Sequence, residues 1–117
     1  MALTVVAGSV ARGAVPEAPV RVAPGPVHPL APLTLALVSD QRHLVGVELV
    51  DPEGRRHESA LTSLTPEQPE TLLRLPMPAR GPGVGPYEVR LLWRGPNDGA
   101  ARSSHLGGFE LRPYQFC

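Results

Sequence analysis

The chain has no lysine and no isoleucine, one asparagine (Asn97), one cysteine (Cys117) and five aromatic residues among 117. A single cysteine excludes an intrachain disulfide. Because it is the last residue, a C-terminal prenylation box, which needs cysteine fourth from the end, is excluded too. Cys117 is left as a solvated or docked thiol, or as an intermolecular disulfide or carrier thiol. Without isoleucine and with few aromatics, leucine and valine have to fill the core. Without lysine, all eleven basic residues are arginine, and eleven acids balance them to a formal net charge of zero. That balance argues against a general nucleic-acid binder, which needs a basic excess to displace counterions from phosphates. It argues equally against an electrostatic membrane anchor. No apolar run approaches the roughly 20 residues of a membrane helix. The first ten residues have no basic residue ahead of their short apolar run, and Thr4 and Ser9 interrupt it. They read as a first strand rather than as a signal peptide. The cytoplasm or the interior of a protein assembly is favoured over a mature secreted domain.

What the chain has in abundance is proline and glycine, 15 and 12 residues. They interrupt every stretch that could otherwise hold a helical period. Between them lie short runs rich in valine and leucine, the pattern of a single all-β domain, a sandwich or barrel, over residues 1–117. Strands are expected at residues 3–9, 33–38, 44–50 and 71–76, with a return arm at 55–61. Asp51-Pro52-Glu53-Gly54 is a good turn, with proline second and glycine fourth. Residues 12–32 hold six prolines, so Val20 and Val22 belong to an edge or an extended arm. Thr65-Pro66-Glu67-Gln68 could start one helical turn, with a threonine cap and proline at the first helical position. The clearest strands are the last two, residues 87–93 and 106–112. Tyr87, Val89, Leu91 and Trp93 alternate with Glu88, Arg90 and Arg94, with Leu92 breaking the polar face. Phe109 and Leu111 alternate with Glu110 and Arg112. About seven antiparallel strands result.

Gly85-Pro86-Tyr87-Glu88-Val89 through Trp93, a turn, and Gly108-Phe109-Glu110-Leu111 resemble the last two strands of immunoglobulin-like sandwiches. The resemblance covers about the final 60 residues. It implies an immunoglobulin-like sandwich in which Tyr87 ties a loop to its strand. The pattern is nearest to the small periplasmic copper-carrier sandwiches, where an Asp-Gly pair is followed by a histidine ligand and a second histidine opens the mature chain. Here Asp98-Gly99 is followed by Ala100 and the chain opens Met1-Ala2, so both expected ligands are absent.

The four histidines, His28, His43, His57 and His105, show no close metal-ligand spacing. His105, with Ser103, Ser104 and Asp98 nearby, invites comparison with a Ser-His-Asp triad, but adjacency provides neither a positioned nucleophile nor an oxyanion hole. The glycine-proline run at 81–86 lacks the lysine and the following helix of a phosphate loop. Arg55, Arg56, Arg90, Arg94 and Arg112, interleaved with Glu48, Glu88 and Glu110, suggest a mixed-charge sheet face suited to a protein interface. The expectation is therefore no catalytic residue, no metal and no cofactor. The chain reads as a non-catalytic protein-binding or structural module, a small subunit or accessory protein whose partners are other protein chains. Tyr114, Phe116 and Cys117 in the tail (residues 113–117) are the candidate partner contacts. The alternatives are a metal or small-ligand carrier using His105, and an enzyme whose site the sequence does not display.

Overall fold

Alternating valine and leucine become paired strands along most of the chain in the computed structural model, which describes residues 3–8, 10–11, 18–23, 25–78, 83–97 and 99–113. The strands are β1 (Leu3–Gly8), β2 (Val10–Ala11), β3 (Val20–Val22), β4 (Gly25–Pro26), β5 (Leu33–Leu37), β6 (His43–Val50), β7 (Arg56–Glu58), β8 (Thr62–Leu64), β9 (Glu70–Leu73), β10 (Gly85–Arg94) and β11 (Arg102–Pro113). All pairings are antiparallel. The larger sheet runs β1-β11-β10-β6-β7, with β8 also on β6; the smaller runs β3-β5-β9; β2 and β4 form a separate ribbon.

The inward residues of both sheets share one core, which makes the two layers a sandwich. Val45, Val47 and Leu49 of β6 and Tyr87, Val89, Leu91 and Trp93 of β10 meet Val20, Val22, Leu33, Leu35 and Leu73 from the smaller sheet. Leucine and valine do fill most of it, and burial of such side chains is worth about 1.5–3 kcal/mol each. Tyr87 stacks on Phe109 with ring centroids 5.0 Å apart, a cross-strand pair in the register of β10 and β11.

The strand total exceeds the expected seven for two physical reasons. The return arm is a long strand interrupted at residues 59–61, so β7 and β8 pair successive lengths of β6. At the interruption the Ser59 amide donates to the Val47 carbonyl (2.9 Å), and the Val47 amide donates to Ser59 Oγ (3.0 Å). A side-chain oxygen thus takes the place of a ladder carbonyl, as at a bulge. The proline-rich arm also contributes pairing: β3 forms an edge of the smaller sheet, and β4 pairs with β2.

Residues 65–68 form no helical turn. Thr65 and Gln68 exchange backbone hydrogen bonds in both directions (3.2 and 3.1 Å), and Thr65 Oγ1 accepts from the Gln68 amide. Proline suits the second position of such a tight turn, and Pro69 denies a helix its next donor. The threonine that could have capped a helix closes a turn instead. No helix among the described residues is long and apolar enough to cross a membrane.

Candidate functional site

Three regions hold the polar chemistry of the described residues. The first is the outer face of the larger sheet. Arg90 and Glu48 are register partners on β10 and β6. Arg90 donates through Nη1 to Glu88 Oε2 (3.0 Å) and reaches Ser103 Oγ through Nε and Nη2. His105 donates from Nδ1 to the same Glu88 oxygen (2.8 Å). Partial burial raises the Glu88 carboxyl, but the bonds from His105 and Arg90 outweigh it and hold the group below its ordinary range. Arg112 pairs with Glu110 and Arg55 with Glu53.

Glu48 departs from expectation: it is on the outer face yet only 3% exposed. Its Oε1 accepts no hydrogen bond. Arg56 and Arg90 stand off at 4.0 Å each, so charge attraction rather than hydrogen bonding accounts for its tolerance there. Leu92 is also buried, at 6% exposure, outside the core cluster. Its register partner is Gly46, over which the Leu61 side chain lies.

This arrangement dissolves the apparent triad. His105 binds a glutamate and Ser103 binds an arginine, while Asp98 lies outside the described residues. The remaining histidines serve local structure. His28 Nδ1 accepts from the Leu30 amide. His43 Nδ1 faces the Gln41 carbonyl at 2.9 Å; a carbonyl only accepts, so this nitrogen carries the proton. His57 Nε2 meets Asp51 Oδ2 at 3.0 Å. No group of three or more His, Cys, Asp or Glu side chains among the described residues is placed to hold a metal ion.

The second region is the corner where β6 turns into β7. Asp51 Oδ1 accepts from the amides of Glu53 and Arg55 (2.9 Å each), while its Oδ2 accepts a hydrogen bond from His57 Nε2. The His57 hydrogen bond is the main reason its carboxyl is held below the ordinary range. Across the corner, the Tyr87 hydroxyl donates to the Gly83 carbonyl (2.7 Å). Burial pushes that hydroxyl's pKa up, and the charges of Asp51 and Glu53 push the same way. The link between Tyr87 and the preceding loop is the one expected from the sequence. The aspartate–histidine pair was not, although an acid and a histidine at the two ends of a predicted hairpin turn were a visible hint.

The third region is the opposite end of the sandwich. Residues 38–42, 65–69, 95–97 and 99–101 come together there, because Leu64 pairs with His43, Leu44 with Arg94, and Ala36 with Glu70. Besides a concavity lined by Thr62, Ser63, Leu64, Gln68, Pro69, Glu70 and Thr71, two others open among them. One, of about 350 Å³, is lined by Arg42, Leu44, Arg94, Gly95 and Pro96. The other, of about 450 Å³, is lined by Ala18, Pro19, Val38, Ser39, His43, Trp93 and Arg102. Val38 is 57% exposed. Among the described residues neither of these two linings includes an acid. Arg94 shares the outward face of β10 with Arg90, as expected, and stands at the strand's end, where it lines the first of these two concavities. Arg42 and Arg102 carried no motif that could have marked them.

Tyr114, Phe116 and Cys117 lie outside the described residues. Comparison of the chain with protein-family models, with curated proteins and with solved structures finds no match.

Proposed function

We propose that this chain is a non-catalytic protein-binding module on an immunoglobulin-like sandwich, acting as a small subunit or accessory protein of a larger assembly. The immunoglobulin-like reading is supported by strand order. A three-strand layer, β3-β5-β9, packs against a layer in which β7, β6, β10 and β11 are neighbours, an order consistent with the Greek-key connections of that fold. It is supported also by Tyr87 near the start of β10, whose hydroxyl bonds the backbone four residues upstream, the tyrosine corner of such sandwiches.

The binding reading rests on one contrast. On the outer face of the larger sheet Arg56, Arg90 and Arg112 each stand beside a glutamate. The loop end instead presents two concavities, exposed Val38, and Arg42, Arg94 and Arg102, which have no acid partner among the described residues. Loops on a rigid sandwich are where binding residues concentrate, and arginine beside apolar side chains is typical of protein interfaces. Tyr114, Phe116 and Cys117 are retained as further contacts in this proposal. Solution mass of the chain taken from its native source tests it. A complex of defined stoichiometry with another protein is expected; a stable monomer under native conditions, with no co-purifying chain, overturns it.

A further inference from the structure

Four described arginines, Arg55, Arg56, Arg90 and Arg112, stand within 4.0 Å of a glutamate. Among the described residues Arg21, Arg42, Arg74, Arg94 and Arg102 do not, and of these Arg42 and Arg94 share the lining of one concavity with Leu44, Gly95 and Pro96. Arg94 lies directly opposite Leu44 in the register of β10 and β6, so the two side chains are neighbours on one face. Arg94 is partly buried: a cation drawn partway out of water without a counter-ion among the described residues. An anion arriving there gains attraction without displacing an existing pair.

From this we infer that the Arg42–Arg94 concavity receives a carboxylate of an acidic protein segment, with an apolar side chain of that segment on Leu44. The inference rests on the binding-module reading and gives its partner a chemistry. Carboxylate fits because the planar guanidinium fork matches two coplanar oxygens. A nucleic acid does not: two arginines on a chain of zero net charge release too few counterions to hold a polyanion. Arg102 lines the other concavity at this end, with Trp93 and Val38. Asp40 and Glu67 are on nearby connections and Glu70 opens β9, but none of them lines either of these two concavities.

The test is a titration of the full chain, followed by backbone amide NMR at low salt, with capped tetraglutamate and capped tetraglutamine as probes. Tetraglutamate should shift the amides of Arg42, Leu44 and Gly95 saturably, and tetraglutamine should not. The double variant Arg42→Gln/Arg94→Gln should weaken tetraglutamate binding about tenfold or more. Arg21→Gln/Arg74→Gln, which removes the same charge elsewhere, should leave it unchanged. Both variants must retain the dispersed wild-type spectrum; if the first unfolds, the single variant Arg94→Gln gives the same comparison. Absence of shifts, equal effects of the two double variants, or tighter binding of inorganic phosphate than of the peptide overturns the inference. A native partner that docks on this end equally well in Arg42→Gln/Arg94→Gln also overturns it while leaving the binding-module reading standing.

Discussion

The Tyr87 hydroxyl donates to the carbonyl of Gly83 across 2.7 Å, while its ring stacks on Phe109 within the core. One side chain thus fastens the connection ahead of β10 to the sandwich interior. Tyr87→Phe keeps the ring and loses the bond, so unfolding free energy should fall by about 1 kcal/mol. Tyr87→Ala also opens a core cavity and should cost about 3–5 kcal/mol. Urea unfolding checks both; a loss for Tyr87→Phe no larger than experimental error would show that the link is incidental.

Asp51 makes stability depend on pH in a definite direction. Its folded carboxyl is held below the ordinary value of 3.8, chiefly by His57. A depressed carboxyl contributes stability above its unfolded pKa, and that contribution disappears as pH falls through the folded value. Asp51→Asn should therefore be less stable than the parent at neutral pH, with the gap closing in acid below that range. Glu88, held low by His105 and Arg90 against its partial burial, contributes with the same sign. A gap between Asp51→Asn and parent that widens toward acid would contradict this assignment.

Two glycines are required by geometry. Gly85 has φ +132°, and a Cβ there would come within 2.8 Å of Pro52 Cβ. At Gly108 a Cβ would collide with the backbone carbonyl oxygen of Tyr87. Alanine at either position should destabilise by about 1–3 kcal/mol, through strain or overpacking. Alanine at Gly99, where an added Cβ meets nothing within 4 Å, should change stability by less than about 0.5 kcal/mol. Equal thermal unfolding midpoints for all three variants would refute the distinction.

Much of this was legible in the chain before its structure. The alternation of Tyr87, Val89, Leu91 and Trp93 against Glu88 and Arg90 marks a core-facing strand, because period two has only one structural reading in a short run. The turn at Asp51-Pro52-Glu53-Gly54 was equally plain. The burial of Glu48 was not. Alternation assigns a residue to a face but is blind to what lies across that face, and Leu61 folding over Gly46 is a contact made by an interrupted strand. Nor did sequence separate Arg94 from Arg90. Both point out of β10, but Arg90 stands beside Glu48 and Glu88, while Arg94 is four residues further on, at the strand's last position. The convergence of Arg42, Arg94 and Arg102 depends on which connections share an end, which only pairing settles.

Glu48 offers a further check. A carboxylate 3% exposed, with one oxygen lacking a hydrogen bond, is costly to keep, and replacing such a group by an apolar residue is often neutral or stabilising. Glu48→Val should be neutral or raise stability by about 1–2 kcal/mol. Arg90→Met leaves Glu48 and Glu88 short of a cation and should lower it by about 1–2 kcal/mol, the arginine being partly exposed. Strong destabilisation by Glu48→Val would show that its attraction to Arg56 and Arg90 outweighs its desolvation.

The central claim is that the chain meets a protein partner through its loop end. Photo-crosslinking in the native source, with the reactive side chain placed in turn at Val38, Pro96, Glu58 and Leu72, tests it most directly. One specific heavier species from Val38 and Pro96, with none from Glu58 on the larger sheet's edge or Leu72 on the smaller sheet, is predicted. Crosslinks confined to Glu58 or Leu72, or none from any position, would contradict it.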